Sequence, residues 1–158
     1  MFNVVRSLIA GSVEIAPPKD NYKFEVDTAT VEQGAAVKFT NDGKIEPAGQ
    51  EDTEVAAIAM EKGEVEDEIR IFFVVPGLVF RCPMTKEDSS DAEESDIHND
   101  LHRGRIDVQM NDDKTGLDCE TDPGTKTGPL TLLKMDKENM TADVVFNSGS
   151  LWHQIDST

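Results

Sequence analysis

The sequence predicts an all-β domain, a small barrel with an extended N-terminal arm and an acidic loop insertion. Three observations lead there. Short stretches of alternating apolar and polar residues recur along the chain. Gly, Asn, Asp and Pro punctuate them at close intervals. These breaks leave no room for a long amphipathic helix.

Met1 to about Asn21 reads as the first unit. Phe2, Val4, Val5, Leu8 and Ile9 are apolar, and Pro17-Pro18 then enforces an extended, helix-free linker. A segment this short cannot fold alone. It either adds an edge strand to its own barrel or reaches a neighbouring subunit, and the neighbour is the preferred reading. Residues 22–158 are expected to form the barrel domain, with an insertion at about 83–102.

Tyr22 to Cys82 is the first β block. Ala36-Val37-Lys38-Phe39-Thr40 alternates as a half-buried strand should, and Asn41-Asp42-Gly43 is a tight-hairpin signal. Lys44 to Ala48 is the return strand, closed by Pro47 and Gly49. Val55 to Met60 is a short apolar run, Glu61-Lys62-Gly63-Glu64 a turn, and Ile69 to Val75 the most apolar strand of the chain. Glu87 to Asp100 carries many carboxylates and no basic residue, so it reads as a solvated loop with a helical turn capped by Ser89 or Ser90. Arg103 to Met110 alternates again as a strand, and Asn111 to Gly128 is turn-rich. Pro129 to Met135 and Met140 to Phe146 are the closing strands around an Asp136-Lys137-Glu138-Asn139 turn. Asp143 marks an exposed face, and Trp152 in the short tail is expected to cover a core edge. Ile69 to Val75, Leu130 to Leu133 and Val144 to Phe146 should supply core strands.

Composition narrows function. In 158 residues there are 15 Lys and Arg against 32 Asp and Glu, a formal net charge of −17. Such a chain repels phosphate backbones and anionic membrane surfaces, which argues against nucleic-acid and membrane partners. No apolar run approaches the roughly 18 residues of a membrane span, and the N-terminus lacks the pattern of a secretory signal. A cytoplasmic origin follows as the expectation, with Cys82 and Cys119 as free thiols.

The candidate chemistry is sparse. His98 and His102 lie four apart, a spacing that shares one helical face, and Cys82 and Cys119 would complete a tetrahedral site if the fold gathered them. The spacing matches no compact zinc module. Asn111-Asp112-Asp113-Lys114-Thr115-Gly116, with Asp122 further on, partly follows a calcium loop, but a tight turn is the better account. There is no Gly-x-Ser-x-Gly elbow, no phosphate-cradling glycine loop, and no local group to activate a thiol near His153. No catalytic residue, cofactor or metal ligand is therefore expected.

The order of pieces resembles the capsid decoration, or cement, proteins of tailed bacteriophages, of the lambda-like head decoration type. The likeness rests on "VEQGAAVKFTNDGKIEPAG", an acidic spacer, "TEVAAIAMEKGE" before an apolar strand, and "LTLLKMDKENMTADVVFN". Together these cover about half the chain. The resemblance implies a small β-barrel, β-tulip or OB-like, on the outer capsid surface of the virion. It also implies a homotrimer that clamps neighbouring copies of the major capsid protein. An N-terminal arm extends a sheet of the shell protein in that family, so Phe2, Val4, Val5, Leu8 and Ile9 would be the capsid-binding residues here. The acidic insertion and the long 111–128 segment depart from the simplest members. Two rivals are a tail or fibre component with a similar barrel, and a metal-binding or enzymatic module using His98 and His102.

Overall fold

The computed structural model describes residues 1–7, 22–75 and 77–147. Among them the strands are β1 (Asn3–Ser7), β2 (Lys23–Glu25), β3 (Ala36–Phe39), β4 (Ile45–Pro47) and β5 (Ala57–Ala59). They continue with β6 (Glu68–Phe73), β7 (Leu78–Thr85), β8 (Leu117–Asp118), β9 (Leu130–Asp136) and β10 (Thr141–Phe146). One sheet runs β1-β7-β10-β9, and the other β2-β6-β5-β3-β4. These pairings are antiparallel; the short β8 alone among them lies parallel, beside the end of β7.

The all-β class is therefore as expected, but the closed barrel is not. A single parallel bridge between Val26 and Ile45 brings the two edges of the second sheet together without continuing as a ladder. The architecture is two sheets with two cores. Val37, Ala57, Ala59, Ile69 and Ile71 point to one side of the second sheet and bury with Val26, Val31 and Ile45. Their neighbours Ala36, Ile58 and Phe72 point the other way, into a larger core shared with the first sheet. Successive strand residues face opposite sides, so a sheet covered on both faces must be apolar at nearly every position. That requirement explains the alanine-rich run at β5.

The hairpin between β3 and β4 follows its sequence signal. Gly43 takes φ +75°, and Thr40 and Lys44 close the turn with a 2.9 Å backbone bond. The core strands expected at 69–75, 130–133 and 144–146 do bury Ile69, Ile71, Leu130, Leu132 and Val144, although Val75 is exposed.

Several expectations need correction. Arg103 to Met110 is not a strand, because Gly104 (φ +84°) and Asp107 (φ +60°) turn the backbone out of the extended region. Only isolated bridges at Val108 and Met110 remain of it. The strand that was missed is β7, the longest of the described ones. It leaves the expected first block to sit between β1 and β10, and it runs into the stretch expected as insertion. The acidic segment is less solvated than its composition implies. Leu101 is buried, and Ala92 and Ile97 pack on the larger core. Its helical turn, Glu94–Asp96, is capped by Glu93 rather than a serine, with Asp96 accepting the Glu93 amide in return. Asp143 is also mostly buried. It stands opposite Arg81 on β7, whose Nε and second guanidinium nitrogen donate to it at 2.9 and 3.3 Å. Trp152 lies outside the described residues.

Candidate functional site

The N-terminal residues expected to reach a neighbour build an edge of the chain's own first sheet. β1 pairs antiparallel with β7, Asn3 opposite Arg81 and Val4 opposite Phe80. The register slips between Val4 and Arg6, so Val5 is the extra residue of a β-bulge. Phe2 is 4% exposed and donates its amide to the Gly34 carbonyl. Gly34 has φ +80°, and a Cβ there would come within 2.4 Å of Met1 Cγ, so only glycine lets the N-terminus lie this close.

An aromatic row explains why the strand stays. Phe2 meets Phe146 at 5.1 Å between ring centroids, Phe146 meets Phe80 at 5.3 Å, and Phe80 meets Phe72 at 6.5 Å. The row crosses from Phe2, just before β1, through β10 and β7 to β6 and so ties both sheets together. Beside it lies a groove of about 300 Å³ lined by Met1, Phe2, Val4, Ile58, Met60 and Phe72, among others. Val4 and Val5 are half-buried, and β1's other edge pairs with no strand among the described residues. Among the described residues, the arrangement is an unpaired sheet edge next to an apolar groove. Leu8 and Ile9 lie outside the described residues.

The four-residue spacing of His98 and His102, not expected to hold a metal, does not bring the two rings into one cluster. His98 converges not with His102 but with Asp100 and Asp122: one donor atom from each lies within 4.8 Å of the others. His102 is exposed and outside this group. Sequence spacing missed the cluster because Asp122 comes from the distant β8–β9 connection. Cys82 and Cys119 are free, buried thiols, and burial pushes each up to about 12, which makes neither a nucleophile at neutral pH.

The calcium-like loop is a turn. Asn111 is buried, its Oδ1 accepts the Thr115 and Gly116 amides at 2.9 and 3.2 Å, and its Nδ2 donates to Thr85 Oγ1 at 3.0 Å. Those bonds commit the would-be ligand to the backbone. A shallow polar depression of about 420 Å³ on the outer face of the first sheet holds Arg81, Lys134, Asp136 and Asp143. Its carboxylates are tied up, Asp143 by Arg81 and Asp136 by the side chain and amide of Asn139. His153 lies outside the described residues.

In comparison with known proteins, no family model and no curated protein matches the chain.

Proposed function

We propose that this chain is a virion structural protein that binds the outside of an assembled phage shell and stabilises it without catalysis. In this reading its partner is the major capsid protein, and the working unit is a homotrimer that clamps neighbouring shell subunits. The two-sheet domain would then be a variant of the small β-tulip or OB-like barrel of the family it resembles.

The observation that carries the reading is the edge of β1, unpaired among the described residues, beside an apolar groove on a strongly acidic β domain. A shell strand added to that edge gains main-chain hydrogen bonds and sets alternate side chains into the groove. Because β1 already belongs to its own sheet, the contact is augmentation of a seated strand rather than capture of a free arm. The bulge at Val5 and the charge of Arg6 blunt the edge against indiscriminate pairing. Even about 1 kcal/mol per subunit is enough when it repeats over many symmetric sites that must fail together.

The test is electron microscopy of particles with intact protein, with Val5→Lys, with Met1–Ile9 deleted, and with none, followed by particle survival on heating. Intact protein should decorate and protect. Val5→Lys, which leaves Phe2 seated, should weaken decoration, and the deletion should abolish it. Equal decoration by both variants would refute the edge mechanism, and no decoration by intact protein would refute the function.

A further inference from the structure

We propose that His98, Asp100 and Asp122 form a binding site for a divalent first-row transition ion, with Zn²⁺ or Co²⁺ as the fitting occupants. The site joins two segments that are distant in sequence. His98 and Asp100 belong to the stretch after the Glu94–Asp96 turn, and Asp122 belongs to the connection between β8 and β9.

The backbone brings the segments together before any ion is considered. His98 donates its amide to the Cys119 carbonyl at 2.9 Å, and Leu101 donates to the His98 carbonyl at 2.9 Å. Asp122 is fixed by its own turn: its Oδ1 accepts the Gly124 amide at 2.9 Å, and its carbonyl accepts the Thr125 and Lys126 amides. One imidazole nitrogen and two carboxylate oxygens are thereby held within 4.8 Å of one another. Metal–ligand distances of about 2.0–2.2 Å need only small side-chain rotations from that starting point.

The donor set selects the ion. Calcium takes 6–8 oxygens, and magnesium is reluctant to give up its water, so neither gains much from one nitrogen and two carboxylates. Imidazole with carboxylate suits zinc and its neighbours, with water completing the shell. The two carboxylates supply the anionic ligands that imidazole alone lacks. Two costs oppose binding. Nδ1 of His98 accepts the Asp100 amide at 3.1 Å, and coordination through either ring nitrogen gives that bond up. The Arg105 guanidinium, whose Nε donates to the Asp100 carbonyl at 3.2 Å, adds a positive charge close by. Two carboxylates at the site and the chain's net charge of −17 outweigh it. A bound ion would staple the acidic segment to the β8–β9 connection.

The test uses the full chain after chelator treatment and dialysis. Co²⁺ titration, read by visible ligand-field absorption, and Zn²⁺ titration calorimetry should both give one ion per chain. His98→Gln and Asp122→Asn should each weaken binding by more than about tenfold, while His102→Gln should leave it unchanged. Zn²⁺ should raise the melting temperature of the parent, Ca²⁺ at the same concentration should not, and His98→Gln should lose the Zn²⁺ shift. No ordered Co²⁺ spectrum, binding that survives both ligand variants, or an equal loss with His102→Gln would overturn the site. Circular dichroism matching the parent confirms that each variant is folded when its binding is read.

Discussion

Replacing Phe2 by alanine tests whether the N-terminal strand belongs to the domain. The ring is 4% exposed, tilted at 57° to Phe146, and borders the groove. Burying a phenylalanine side chain is worth about 1.5–3 kcal/mol, and an aromatic pair adds about 0.5–1.5 kcal/mol. Core Phe→Ala changes cost about 3–5 kcal/mol once the cavity is included. The neighbouring groove and the edge position let the site relax, which pulls the value to the lower end, about 3 kcal/mol. Against a domain stability of about 5–15 kcal/mol, that loss is easily read in urea denaturation. The denaturation midpoint should fall with an unchanged slope. Arg6→Ala, an exposed neighbour on the same strand, should stay within about 0.5 kcal/mol of the parent. Hydrogen exchange should show protected amides in Asn3–Ser7 of the parent and faster exchange there in Phe2→Ala. A Phe2→Ala loss below about 0.5 kcal/mol, or no protection in β1, would refute a seated strand and restore the free arm.

Three further outcomes are expected. Both thiols should be silent to Ellman's reagent in the native protein at pH 8 and react on denaturation, because burial pushes Cys82 and Cys119 up to about 12; fast native labelling would contradict their burial. A double-mutant cycle on Arg81 and Asp143 should give a coupling of only about 0.5–1 kcal/mol that shrinks in salt, since Arg81 is half exposed; a coupling above about 3 kcal/mol would mean that the pair is desolvated. For Asp52, desolvation works upward, but the Lys38 ammonium and the Gly49 and Glu54 amides outweigh it and hold the carboxyl below its ordinary 3.8. A depressed carboxyl stabilises the fold fully above that ordinary value and loses the contribution as pH falls through the folded one. Asp52→Asn should therefore lower stability at pH 7 and flatten the acid limb of the pH–stability curve; an unchanged acid limb would refute the assignment.

Local patterns were legible and long-range ones were not. Asn41-Asp42-Gly43 announced its hairpin because the turn is decided by the conformational freedom of adjacent residues. Ile69 to Val75 announced a core strand by its apolarity. By contrast, Leu78 to Thr85 alternates well, but Arg81 and Pro83 disguise it, and nothing local says that Asp143 will come to lie opposite that arginine. Arg103 to Met110 alternates equally well and fails, since Gly104 and Asp107 spoil the extended backbone. The apolar arm was legible as a segment that docks either on its own sheet or on a neighbour, and Asn3–Ser7 pairs with β7 of its own sheet. Gly34 and Phe146, which receive it, lie far along the chain. The His98 cluster was hidden for the same reason. A four-residue spacing suggested His102, whereas the fold supplied Asp122 from another loop.

The order of strands also sets a schedule for synthesis. The second sheet draws only on residues 23–73, and its β3–β4 and β5–β6 pairings close over short loops. The first sheet flanks β7 with β1 from one end of the described chain and β10 from the other. On a ribosome the smaller core at Val26, Ile45 and Ile71 can assemble while Thr141–Phe146 is still inside the exit tunnel. Phe80 can meet Phe72 before then, but Phe2 must wait for Phe146, the ring that links it to Phe80. Until it emerges, the nascent chain displays one half-built apolar face, and the excess of carboxylates works against association of neighbouring copies.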